Sequence, residues 1–87
     1  MKFEYDPDKS ETNLQKHGID FEEAQNLWND SNALELQAKS DSEPRFALIA
    51  RYDDRYWSAF YTYRSSCIRL ISVRRSRENE KRIYNES

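Results

Sequence analysis

The spacing of apolar residues changes from helical to alternating near residue 33, and that switch limits the chain to helices first and a sheet afterwards. Before it, Asp6 suits an N-cap, Pro7 the first helical position and Gly18 the left-handed residue just past the end. A helix is therefore expected from Pro7 to His17, with Leu14 and Ile19 placed for the apolar contact that accompanies such a C-cap. Asp20-Phe21-Glu22-Glu23 has capping-box spacing and opens a second helix, whose apolar face is Phe21, Ala24, Leu27 and Trp28. That spacing explains Trp28 as a packing residue. Beyond the switch, residues 33–38, 45–52, 56–64 and 67–75 alternate as strands do. Asp53-Asp54 and Ser65-Ser66 are turn formers between the last three, so antiparallel hairpins are the economical arrangement. The short aromatic run 3–5 predicts a first strand. Ser76 is placed to cap a terminal helix reaching about residue 85, whose apolar content is only Ile83 and Tyr84. In the last strand, strict alternation puts Ile68, Leu70 and Ser72 on one face and Arg69, Ile71 and Val73 on the other. The expected architecture is α+β: a small single domain over residues 1–87, with an antiparallel sheet of about four to five strands, two N-terminal helices and a C-terminal helix.

With 87 residues, 37% apolar and 34% charged, the core must be modest. No apolar run approaches membrane-spanning length, and the opening Met1-Lys2-Phe3-Glu4-Tyr5-Asp6 lacks the stretch of a secretion signal, so a cytoplasmic location is the expectation. One cysteine, Cys67, excludes an internal disulfide. Together with a single histidine it cannot form a common zinc site of Cys and His ligands, so no metal or other cofactor is expected. The net charge of −2 conceals an asymmetry. Residues 1–43 hold four Lys against eleven Asp or Glu, a net −7, whereas residues 44–87 hold ten Lys or Arg against five acids, a net +5. Nine of those ten cations are arginine, whose planar fork matches phosphate and carboxylate geometry. Charge alone leaves two readings open: an anionic ligand, or arginines paired with acids of the first half.

The first helix carries polar groups where a packing helix would be apolar. Lys9, Asn13 and Lys16/His17 form one stripe on it, and His17 is the only histidine. The chain also resembles a known family in three segments kept in order and spacing. These are Phe3-Glu4-Tyr5-Asp6-Pro7-Asp8-Lys9, then Asn13-Leu14-Gln15-Lys16-His17-Gly18-Ile19 followed by Phe21-Glu22-Glu23-Ala24, and finally Ile68-Arg69-Leu70-Ile71-Ser72-Val73-Arg74-Arg75. The resemblance is to the BrnT toxins. It implies a ribonuclease of a type II toxin–antitoxin pair with a RelE-like fold, held in a hetero-oligomer by a BrnA-like antitoxin. That antitoxin's ribbon-helix-helix domain would link the complex to operator DNA. Tyr5 stands where the family often has Trp, and the acidic net charge departs from the basic one usual in such nucleases.

Metal-free RNA cleavage needs an activated 2′-hydroxyl, stabilised charge on the phosphate, and a proton for the leaving oxygen. Imidazole titrates near neutrality, which makes His17 the candidate proton carrier. Arg64, Arg74 and Arg75 are the candidate cations for the reacting phosphate, and Lys9, Asn13, Lys16 and Arg69 the candidates for binding the substrate. Arg74 and Arg75 are adjacent on a strand and must point to opposite faces, so only one can reach a given phosphate. Arg64 and Arg69, across the Ser65-Ser66 turn, could share an anion. Glu4 or Glu80 could act as a base or hold His17 or an arginine in place, and Asn13 could equally bridge to a neighbouring loop. Tyr52, Tyr56, Tyr61 and Tyr63 cluster in the central hairpin, where some must face outward to stack on bases or to be buried by an antitoxin, unless they serve only in sheet packing. A family member that binds its antitoxin without cutting RNA is the alternative function.

Overall fold

The computed structural model of the chain describes residues 1–87. In chain order it contains β1 (Lys2–Glu4), α1 (Pro7–His17), a 3₁₀ helix (Glu23–Asn29), β2 (Leu34–Ala38), β3 (Arg45–Tyr52), β4 (Arg55–Arg64), β5 (Cys67–Arg75) and α2 (Glu78–Glu86). The five strands form one sheet in the order β1-β5-β4-β3-β2. The expected α+β class and five strands are present, but the sheet is mixed rather than antiparallel. β1 runs parallel to β5, with Phe3 opposite Ile68. Most of the chain lies between those two strands, so no tight hairpin dictates their relative direction. No helix is long and apolar enough to cross a membrane.

Local chemistry explains the element ends. The Asp6 carboxylate accepts the Asp8 N–H at 2.9 Å, and Pro7 fills the first turn of α1. Gly18 closes the helix at φ 79°, donating its N–H to the Leu14 carbonyl at 2.9 Å. The second helix is 3₁₀ rather than α. Phe21, Ala24 and Leu27 recur every third residue and all are fully buried, and three residues per turn is the geometry that aligns such a row. Only half of the expected capping box forms: Asp20 Oδ1 accepts the Glu23 N–H at 2.8 Å, whereas the Glu23 carboxylate takes the Tyr52 hydroxyl, and Glu22, the residue before the helix, gives no side-chain cap. The β3–β4 turn is a two-residue hairpin in which Asp53 and Asp54 both adopt positive φ, 54° and 63°. The Ser65-Ser66 turn likewise joins β4 and β5, with Ser65 at φ 51°.

The sheet has an inner and an outer face. The inner face carries Leu48 and Ala50 of β3, Trp57, Ala59 and Tyr61 of β4, and Ile68, Leu70 and Val73 of β5, packed with Ile19, Phe21, Ala24 and Leu27 into one core. Trp28 packs at its margin, edge-to-face with Phe3 and Tyr61 at centroid distances of 5.0 and 5.1 Å. Burial, and then the bond to the Glu35 carboxylate, push the Tyr61 phenol upward. Strict alternation fails in β5. The register shifts so that Tyr61 opposes Leu70 while Phe60 opposes Ser72, leaving Ile71 as the extra residue of a bulge. Val73 therefore joins Ile68 and Leu70 in the core and Ser72 turns outward, the reverse of the assignment from simple alternation for these two residues, while Arg69 stays on the outer face as expected.

β1 ends at Glu4, so β5 beyond Arg69 has no strand on that side. The Asn13 side chain supplies the missing partner. Its Nδ2 donates to the Val73 carbonyl at 2.9 Å and to the Ile19 carbonyl at 2.8 Å, while its Oδ1 accepts the Val73 N–H at 3.1 Å. Asn13 is 5% exposed, and its buried neighbour Ser10 accepts the Phe21 N–H at 2.9 Å. The polar face of α1 thus fastens the helix to the sheet edge and to the following loop.

On the outer face, α2 has no fully buried residue and is held by polar bonds. Ser76 is not its cap. The Ser76 hydroxyl pairs with that of Ser58 at 2.8 Å and its N–H reaches the Tyr56 carbonyl, while Arg77 takes the N-cap position with its N–H donating to Glu80 Oε1 at 2.8 Å. Glu80 also accepts both terminal nitrogens of Arg74 at 2.8 Å and the Ser58 hydroxyl at 3.0 Å. The Arg74 guanidinium outweighs burial and, helped by the Arg77 N–H and the Ser58 hydroxyl, holds Glu80 down to about 2. At the far end Tyr84 donates to Asp30 at 2.8 Å, and burial together with that carboxylate pushes Tyr84 up to about 12.

Two consequences can be measured by urea denaturation. Replacing Asn13 by Ala orphans buried backbone groups of Val73 and Ile19 and should cost about 2–3 kcal/mol; unchanged stability would show that the edge closes without the amide. Glu80→Gln should cost about 2 kcal/mol at pH 7. A carboxyl whose folded pKa is depressed stabilises above its unfolded pKa and loses that contribution as pH falls, so the gap between wild type and variant should close between pH 4.5 and about 2. A gap independent of pH would remove the ion pair as its cause.

Candidate functional site

The groove beside the β5 edge follows from how α1 is fastened. With Ser10 and Asn13 turned inward, helical geometry leaves Lys9, Lys16 and His17 along the neighbouring stripe. These side chains line an open groove of about 220 Å³ whose other wall is Ile71 and Ser72 of β5. The bulge at Ile71 sits at the groove and is the reason Ser72 faces the outer side. Two ammonium groups and an imidazole there meet a strand edge, which suits an anion and places a proton carrier beside it. Asn13 forms the groove floor, with its amide committed to three backbone bonds.

Of the expected arginines, Arg64, Arg69 and Arg74 share the outer face, where Cys67, Thr62 and Ser58 are their opposite neighbours in the ladder. Arg69 and Arg74 flank Ser72 along β5. Each of the three already meets a carboxylate. Arg69 reaches Glu4 at 2.9 Å and Arg74 meets Glu80 at 2.8 Å, while Arg64 makes a long 3.4 Å contact with Glu43 near the turn. Arg64 and Arg69 therefore do not converge on one shared anion position. Arg75 points to the inner face, its guanidinium 5.6 Å from the Trp57 ring centre, so the two adjacent arginines are divided between faces as alternation requires. No arginine lines the groove that holds His17. Glu4 and Glu80, whose roles were open in the sequence, both hold arginines.

The tyrosines also separate. Tyr61 is fully buried, Tyr52 and Tyr56 donate to Glu23 at 3.0 Å and Asn85 at 3.2 Å, and Tyr63 is 51% exposed with its hydroxyl on Glu35. Sequence reasoning overlooked two outer-face residues. Arg45 has a buried Nε without a hydrogen-bond partner, and Phe60 lies beneath the Arg74 guanidinium at 5.0 Å. Alternation from Ala47 and Ser58 could have assigned both to that face, but nothing in the sequence signals that the face stays largely uncovered.

The charge asymmetry of the two halves is thus answered partly inside the fold, since Arg64 and Arg69 pair with acids of the first half. No curated protein matches the chain. The family model for the ribonuclease toxin BrnT of type II toxin–antitoxin systems matches residues 5–80. That span includes α1 with its groove and every strand but the first, together with Glu43 and Glu80, two of the three carboxylates that meet the expected arginines. The chain belongs to the BrnT family of ribonuclease toxins.

Proposed function

We propose that the protein is a metal-independent endoribonuclease of RelE-like architecture that blocks translation, acting in the cytoplasm as one toxin domain. One observation carries this reading: the sole histidine shares a groove with two lysines, and one wall of that groove is Ser72, which lies between Arg69 and Arg74 on their face of β5. The RNA backbone lies along β5. Lys9 and Lys16 hold one phosphate, and Arg69 or Arg74 meets the charge that develops on the reacting one. The ribose 2′-oxygen attacks the adjacent phosphorus as its proton passes to solvent water, the P–O5′ bond breaks to leave a 2′,3′-cyclic phosphate, and the 5′-oxygen departs with a proton from His17. Glu80, held ionised by Arg74, is a weak base and serves to position that arginine. Asn13 positions the helix stripe, Arg64 lies further along the substrate path, and Arg75, on the other face, contributes through packing against Trp57. The partner is a BrnA-like antitoxin with a ribbon-helix-helix domain, through which a hetero-oligomer binds operator DNA.

A second reading has its own support: Arg64, Arg69 and Arg74 are each paired with a carboxylate, as in a binding module that has ceased to cut RNA. Expression without an antitoxin separates the two, since a binding module leaves growth unaffected. For the leading reading, the purified protein should cut RNA in excess EDTA, and His17→Ala should slow cutting by about 100-fold, the scale of lost general acid catalysis. Arg74→Ala should slow it as well. Full activity in the His17 variant would remove the imidazole from the mechanism, and inhibition by EDTA would remove metal independence.

A further inference from the structure

The outer face is arranged in rows that cross the strands. Register places Leu34, Ile49, Ser58 and Arg74 in one row, Leu36, Ala47, Phe60 and Ser72 in the next, and Ala38, Arg45, Thr62 and Arg69 in the third. α2 covers the first. Its Glu80 bonds Ser58 and Arg74 at one end, and its Tyr84 and Asn85 line a depression with Leu34 at the other. Ile49 is buried in this row although it lies outside the inner core. The second row has no such cover. Leu36, Ala47 and Phe60 are half-buried, none belongs to the core, and Ile83 of α2 stands 40% exposed. The third row adds Arg45, whose buried Nε lacks an acceptor, and Arg69.

We propose that the Leu36–Ala47–Phe60 row is the seat of an amphipathic helix of the antitoxin, lying beside α2 with an apolar stripe on the sheet and Asp or Glu facing Arg45 and Arg69. The dimensions agree. Four strands spaced about 4.8 Å apart give a row of about 14 Å, which a helix rising 1.5 Å per residue spans in about ten residues. Packed helices lie about 8–10 Å apart, so a helix against α2 sits over the second row and its flank reaches the third. The charge of that flank selects the occupant: Arg45, whose Nε lacks an acceptor, calls for a segment with Asp or Glu beside its apolar stripe, and a second copy of this chain is the alternative that the test separates. The row ends at Ser72, so the bound helix also closes the His17 groove. Docking rests on family membership alone; inhibition by closure rests on the ribonuclease reading above.

The test is affinity of the toxin for its cognate antitoxin, measured by calorimetry on chains separated from the copurified complex. Ile83→Glu and Ala47→Glu should each weaken binding by about 30-fold or more, as loss of an interface centre does. Arg45→Glu should weaken it less and in a salt-dependent way. Circular dichroism and melting check that each variant is folded, and Ile83 is a helix surface position whose replacement leaves the core intact. Tyr63→Ala, on the inner face, should bind as wild type does. Wild-type affinity in folded Ile83→Glu and Ala47→Glu proteins would overturn the proposal. So would loss of affinity confined to Gln37→Pro, which would mean strand addition at the β2 edge, or a dimer of the isolated toxin that Ala47→Glu dissolves. Loss of antitoxin binding in a protein that cuts no RNA would retain the docking site and reject the ribonuclease reading, and cleavage with undiminished binding in the row variants would do the opposite.

Discussion

The Asn13 amide is the interaction on which the arrangement of the molecule depends. A carboxamide has the donor and acceptor of a peptide unit, and this one is spent as a peptide unit, pairing both backbone groups of Val73 where β1 no longer runs beside β5. Its second donor bond, to the Ile19 carbonyl, ties in the loop that carries Phe21 to the core. Buried backbone groups left without partners are costly enough that an edge inside the fold has to be closed somehow. Closing it with a helix side chain, instead of a longer β1, brings α1 against the strand edge. The groove with Lys9, Lys16 and His17 is a geometric consequence of that choice.

Electrostatics on the outer face follow a related logic. Arg69 and Arg74 are each fixed by a carboxylate and so have defined positions, while the lysines of α1 remain without ion pairs. Arg74 is the most constrained, gripped by Glu80 and stacked over Phe60. The same Glu80 accepts from Ser58 and from the start of α2, so the helix and the arginine are positioned together. An anionic ligand at Arg74 therefore competes with the bond that docks α2, and the two events are coupled through one carboxylate.

The bulge in β5 decides what each face offers. Leu70 and Val73 are three residues apart and both fill the core, which an unbroken strand does not allow. The extra residue turns Ser72 outward in line with Phe60, Ala47 and Leu36, so the apolar row and the groove meet at one position. α2 is too short to cover more than the neighbouring row, and the sheet keeps an open face beside its cationic edge.

Much of this was legible in the residues themselves. Caps and turn formers signal where the chain must change direction, because Asp6, Pro7, Gly18 and Asp53-Asp54 act through local hydrogen bonds and backbone preference; α1, β3 and β5 lie where these marks and the alternation put them. The stripe of Lys9, Asn13 and Lys16/His17 was equally visible, since helical spacing alone produces it. Tertiary structure decided what those side chains do. Asn13 turns inward because an unpaired strand edge sixty residues later needs its amide, and no local pattern records that need. β1 joins β5 in parallel through contacts distant in sequence, the Ile71 bulge arises because two core positions compete for one face, and Arg69 and Arg74 find their carboxylates only once the sheet has assembled. Local sequence determines where elements begin and end, because the forces that set their limits act within a few residues; which polar groups remain free for a ligand depends on long-range pairing, which only the folded chain establishes.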